Sequence, residues 1–322
     1  MMPAQPDSAQ MRFERKWAHL TRPHVRALAW LLDAPGLLDP ACPVWQDRIT
    51  TLGPASPATC AWLAALEHDP GLLDAALGAR KHSRLGLYAE KLLAFYFEQH
   101  GILFAHGLQV RADKNDTVGE FDFLLRQDAQ LLHWEFASKF YLLEPGASGF
   151  NQWLGPGLAD TLGLKMRKIL DQQLSLGRHP AAQSLLPQAI DRARALIKGW
   201  LFYPAGAVQA MPGIEPGHCH GFWCTLEQVA GLTGEGFVIM DRLQWLAPLK
   251  VAPGAAVLSK SALLALLAAQ FATEAGVLAR PVLVALVRAE NGWLQEQERG
   301  FIVSDDWQQQ AANRRQAGLL PA

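Results

Sequence analysis

Apolar and polar positions along the chain predict a helical opening, a central stretch where helix gives way to strands, and a mixed close. Residues 1–12 read as a mobile tail, and residues 13 to about 80 as helical, Trp/Leu-rich text. Two pieces echo each other, AWLLDAPGLLD (29–39) and AWLAALEHDPGLLD (61–74). Each is an apolar helix stopped at a Pro-Gly turn, and Ser56-Pro57 fits a capped helix start. Two copies are too few for a solenoid, so they predict a helical pair beside the main domain.

Residues 84–99 form the first strong helix, apolar on nearly every face and therefore buried. Strands are expected at about 102–110, 118–126 and 130–142, with turns at 111–116 and at Gln127-Asp128. The loop EPGASGFNQWLGPG leads to one long helix from near Asp160 to Gly177. A short helix (188–197), a fourth strand (198–204) and a fifth (220–224) follow. Beyond lie strand and turn at 236–249, a helix at 258–272, and a hairpin turning at Asn291-Gly292. GFIVSDDW closes the ordered chain. The order helix, three strands, helix, strand is an α/β pattern with a mixed sheet. It divides the chain into a tail and helical region (1–80), a core (81–225) and an α+β extension (226–322).

Of 322 residues, half are apolar, ample for a packed core. The net charge of −1 means that any nucleic-acid surface must be a local patch. Four scattered cysteines (Cys42, Cys60, Cys219, Cys224) make no disulfide framework, which fits a reducing cytoplasm. The N-terminal text has no apolar signal core, and no unbroken run of 18 apolar residues predicts a membrane span.

Strand alternation puts Glu120, Asp122 and Leu124 on one face of the second strand. His133, Glu135, Ala137, Lys139 and Tyr141 share one face of the third. Glu90 projects from an apolar stripe of the preceding helix. Carboxylates are costly to bury alone, and a hard cation such as Mg²⁺ takes oxygen ligands of this kind. Phosphodiester cleavage requires a nucleophilic water and relief of developing charge, which Mg²⁺ on two carboxylates supplies and a nearby ammonium can assist.

The segments GLYAEKLLAFYF, GEFDFLL, HWEFASKFYL, DTLGLKMRKILDQQL and KGWLFYP resemble the restriction-endonuclease-like PD-(D/E)XK superfamily, most closely a bacterial branch of about this length. The likeness covers roughly residues 84–205. It implies a restriction-endonuclease-like core, a four-stranded mixed sheet flanked by helices, and a Mg²⁺- or Mn²⁺-dependent nuclease acting on DNA in repair or defence. Carried over by position, Asp122, Glu135 and the carbonyl of Phe136 are metal ligands, Glu90 the extra helical carboxylate, and Lys139 the motif lysine. The superfamily usually places lysine two residues after the glutamate, where this chain has Ala137. Four residues keep the face but move the amine about 6.6 Å along the strand. A bulge could shorten that distance, or Lys165 or Lys168 could supply the amine from the next helix. The alternative is a nuclease-fold module without catalysis that binds nucleic acid or a protein partner. A weaker view is a structural interaction protein built on the N-terminal helices.

Between 160 and 198, Lys165, Arg167, Lys168, Arg178, Arg192, Arg194 and Lys198 outnumber Asp160, Asp171 and Asp191. Lys165, Lys168 and Gln173 are the candidate nucleic-acid contacts, against the plain alternative of a solvated helix face. His218, Cys219, His220 and Cys224 have zinc-ligand atoms but no complete ligand spacing. The chain carries no GxSxG elbow, phosphate loop or GxGxxG fingerprint.

Overall fold

The computed structural model describes residues 7–79, 82–113, 116–204, 208–273 and 279–321. In chain order the opening holds α1 (Ala9–Trp17), α2 (Pro23–Asp33), β1 (Ile49–Thr50), α3 (Pro57–His68), α4 (Gly71–Leu77) and α5 (Leu85–Gln99). The middle holds β2 (Leu103–Asp113), β3 (Asp116–Gln127), β4 (Gln130–Leu143), β5 (Trp153–Leu154), α6 (Leu162–Arg167), α7 (Pro180–Gln183), β6 (Arg192–Pro204) and β7 (His220–Thr225). The close holds β8 (Gly236–Ile239), β9 (Lys250–Val251), α8 (Lys260–Thr273), β10 (Val282–Glu290), β11 (Trp293–Val303) and α9 (Trp307–Gln316).

The fold is mixed α/β, built on one large mixed sheet ordered β2-β3-β4-β6-β7-β11-β10-β8. β2, β3 and β4 are antiparallel, whereas β6 joins β4 in parallel and β7 joins β6 in parallel. β11 continues the sheet in parallel with β7, so residues beyond 225 extend the same sheet as the core strands. One core packs α1–α5 and α9 on a single face through Trp30, Leu93, Phe97, Phe136, Trp200 and Trp307. On the opposite face, Leu162, Met166 and Ile169 of the α6 region pack on Ala137, Tyr141, Ala195 and Ile197. α8 covers the β10 end of the sheet through Leu263, Leu267 and Phe271. No helix among the described residues is long and apolar enough to cross a membrane.

Ser56 caps α3 by accepting the Thr59 amide at 3.1 Å, as Ser-Pro spacing suggests. The hairpin turns at Asn291 (φ 49°) and Gly292 (φ 76°), left-handed backbone that these residue types tolerate.

Four expectations are corrected. Residues 9–12 are helical in α1, because Gln10, Phe13 and Trp17 are buried and Gln10 donates to Glu296 at 2.8 Å; residues 1–6 lie outside the described residues, as do 114 and 115 of the predicted 111–116 turn. The long helix after Asp160 is broken: α6 runs into a π-helical turn over Lys168–Gln172 and a 3-10 turn over Gln173–Arg178. The short helix at 188–197 is absent, because β6 begins at Arg192 and pairs residue by residue with β4, tertiary pairing overriding local propensity. The ordered chain continues past GFIVSDDW into α9, held by Trp307 and Ala311 in the core.

Candidate functional site

The β3–β4 ladder runs from Gln127↔Gln130 to Phe123↔Trp134 and stops. The next positions would set Asp122 opposite Glu135. There the Phe136 amide donates to Asp122 Oδ2 at 2.8 Å instead of to a β3 carbonyl. The strands part at the two acids, and a side chain takes over the backbone hydrogen bond.

Glu135 is fully buried and both of its oxygens are engaged. His133 Nε2 lies 2.8 Å from Oε1, and Gln173 Nε2 donates to Oε2 at 2.5 Å. Gln173 Oε1 accepts from Lys165 Nζ at 3.3 Å, so one amide bridges the carboxylate and the ammonium. The π-helical turn, a feature common at functional sites, swings the chain so that Gln173 returns over β4.

Burial pushes the Asp122 carboxyl up to about 7, and neighbouring Glu135 and Glu90 add to the rise. Burial likewise carries Glu135 to about 7, opposed by Lys165. The two acids titrate as a pair. Burial lowers the Lys165 ammonium, as do neighbouring Lys139 and Lys168. His133, pushed down to about 4 by burial, is neutral at pH 7, with Nε2 on Glu135 Oε1 and Nδ1 buried without a partner.

From the opposite layer, α5 delivers Glu90, whose Oε1 lies 2.9 Å from His106 Nε2. Carboxylate oxygens of Glu90, Glu120 and Asp122 lie within 4.8 Å of one another, an arrangement that could hold a metal ion. Three acids at that spacing, with a fourth buried beside Asp122, suit an oxygen-seeking divalent cation. Among the described residues His218, Cys219, His220 and Cys224 form no such group. His218 is occupied by Tyr203 Oη (2.9 Å) and the Glu215 carbonyl (2.6 Å).

The structure thus brings Glu90, Asp122, Glu135, Phe136, Lys165 and Gln173 to one place. Lys139 is near Lys165 but engages no site acid: its Nζ donates to Asp160 Oδ2 at 3.0 Å, where the Tyr141 hydroxyl also donates at 3.1 Å. Lys168 is exposed on the π-helical turn. The expected basic stretch is not one face: Lys198 is fully buried and donates to the Ala34 carbonyl, and Arg194 pairs with Asp47 at 2.5 Å. Glu120 and His106 were absent from the predicted set. Glu120 was legible from alternation with Asp122; nothing local in the sequence marks His106, which reaches Glu90 only through packing of β2 on α5.

A sequence family described as a domain of unknown function (DUF1853) matches residues 26–303. The chain belongs to that DUF1853 family. The matched span begins inside α2, after α1, and takes in every strand of the sheet and the whole acidic site, so the DUF1853 unit includes the entire sheet. No curated protein and no solved structure matches the chain.

Proposed function

We propose that this protein is a Mg²⁺- or Mn²⁺-dependent nuclease that hydrolyses phosphodiester bonds of DNA, with a restriction-endonuclease-like core of the PD-(D/E)XK type. The observation that carries the reading is the opened β3–β4 ladder, with Asp122 and Glu135 at the gap and the Phe136 amide on Asp122. Two buried acids held near pH 7 are poorly compensated by Lys165 and Gln173 alone, and a divalent cation would resolve their repulsion.

Asp122, Glu135, Glu90 and the Phe136 carbonyl would hold the ion, with Glu120 at the solvent side. A bound ion supplies charge neutralisation for the phosphodiester and its leaving oxygen. Lys165 sets a positive charge beside the acids, where it can orient an attacking water and offset negative charge developing on phosphate. Gln173 fixes both Lys165 and Glu135, and His133 fixes the other Glu135 oxygen, so neither carboxylate nor ammonium needs to reorganise during reaction. His106 orients Glu90 in the same way.

A second reading, a module that binds nucleic acid or a protein partner without cleaving, is favoured by the engagement of Lys139 with Asp160. The deciding experiment incubates full-length protein with single- and double-stranded DNA in Mg²⁺ or Mn²⁺. It runs in parallel with Mn²⁺ calorimetry on wild type and Glu135→Gln. Cleavage that Asp122→Ala abolishes is expected; cleavage that survives it removes this site from the mechanism. Absence of both cleavage and Mn²⁺ binding favours the second reading, and an Mn²⁺ site lost in Glu135→Gln counts against it.

A further inference from the structure

A cavity of about 580 Å³ lies between the Gln173–Arg178 turn and the start of β6, beside the acidic site. Its size is that of a small-ligand pocket. Leu174, Leu186 and Ile190 give it an apolar lining, and Arg178 and Arg192 are at its wall. It adjoins the site directly. Leu174 follows Gln173, and Ala193, also in the wall, pairs with His133 across the β4–β6 ladder. From Gln173 to Arg178 the 3-10 turn advances about 10 Å at ~2 Å per residue.

The cavity lining carries two guanidinium groups, Arg178 and Arg192, against one carboxylate, Asp191. Arg178 is exposed and has no ion pair among the described residues. Asp191, the acid in the wall, is committed to the Leu131 amide at 2.8 Å and to Gln188 at 3.3 Å. A guanidinium beside an apolar lining matches a phosphate joined to a flat, weakly polar ring system.

We propose that this cavity binds one nucleotide of the substrate strand, with its phosphate on Arg178 and its base against Leu174, Leu186 and Ile190. The proposal rests on reading the acidic site as a nuclease, and it places the strand across Gln173 from that site. A nucleotide entering such a recess must be terminal or extruded from a stack.

The test measures binding of a 5′-phosphorylated, fluorescein-labelled oligothymidylate by anisotropy in EDTA, so that the metal plays no part. Full-length wild type, Arg178→Gln and Leu186→Trp are compared, each checked for wild-type melting. Arg178→Gln is expected to reduce the slope of log affinity against log salt by about 0.7, which is about fivefold in affinity at 0.1 M salt. Leu186→Trp, which fills the recess, is expected to weaken binding with the slope unchanged. Wild-type affinity and slope in both variants overturn the proposal, as does failure of wild type to bind. Binding that depends on Arg178, without cleavage in Mg²⁺, sustains the pocket and sinks the nuclease reading alone. Cleavage with both variants binding as wild type does the reverse.

Discussion

The Phe136 amide donates to the Asp122 carboxylate at 2.8 Å across the point where β3 and β4 stop pairing. An acid accepting a backbone bond in a buried gap is fixed in place but poorly solvated, which suits a ligand and penalises the metal-free fold. Asp122→Asn keeps the shape and removes the charge. Its melting temperature in EDTA is expected to rise by about 2 °C, the exchange of stability for function common at such sites. Wild type is expected to gain about 2.7 kcal/mol at 100-fold excess of Mn²⁺ over its Kd, and the variant nothing. Differential scanning fluorimetry with and without Mn²⁺ reads both; an undiminished Mn²⁺ gain in Asp122→Asn excludes Asp122 as a ligand.

The same acids set a pH dependence. Burial pushes Asp122 and Glu135 up to about 7, whereas unfolded carboxylates titrate near 4. Between those values the folded chain holds protons that the unfolded chain has released, so their contribution to stability is lost as pH rises through about 7. His133, pushed down to about 4, acts with the opposite sign below about 6.5. Cation binding needs the acids ionised and displaces their protons. The Mn²⁺-induced rise in melting temperature is therefore expected to grow from pH 6 to pH 8, and a rise that is flat across that range contradicts the assignment.

Much of this site was legible because strand alternation and helix spacing are local. GEFDFLL and HWEFASKFY place Asp122 and Glu135 on neighbouring strands, and the strands form there. Pairing partners are not local. That β6 starts at Arg192, and that β11 extends the core sheet beside β7, follow from long-range ladders that apolar runs do not encode. The break after α6 was equally invisible, since KMRKILDQQL has ordinary helical periodicity and only packing over Glu135 selects the wider turn. For the same reason the lysine could be narrowed to Lys139, Lys165 or Lys168 but not chosen.

Lys165 is the amine tied through Gln173 to Glu135, and Lys139 is tied to Asp160. Lys165→Ala is expected to lower kcat by about 10²-fold or more, as does losing one positioned charge at a developing anion. Mn²⁺ affinity in Lys165→Ala should stay within a few fold of wild type. Lys139→Ala should keep most of the activity and lose stability, because Asp160 and Tyr141 lose their cation. Steady-state cleavage kinetics beside Mn²⁺ calorimetry separate these cases, and the opposite ranking of the two variants would restore the strand lysine.

Gly199 sits opposite Lys139 in the β4–β6 register with φ +148°, and a Cβ there would land on the Lys139 carbonyl oxygen. No side-chain rotation relieves a clash with backbone, so Gly199→Ala must push β6 off β4, the strand that carries Glu135. A cost of about 3 kcal/mol or more is expected from backbone strain and broken pairing together. Gly86, in α5, meets nothing within 4 Å of a built Cβ, and Gly86→Ala should be neutral or stabilising by up to about 1 kcal/mol. Urea unfolding of the two variants gives the comparison. Equal midpoints would mean that β4 and β6 are not packed as closely as the register requires, and the position of Glu135 over Gln173 would lose its support.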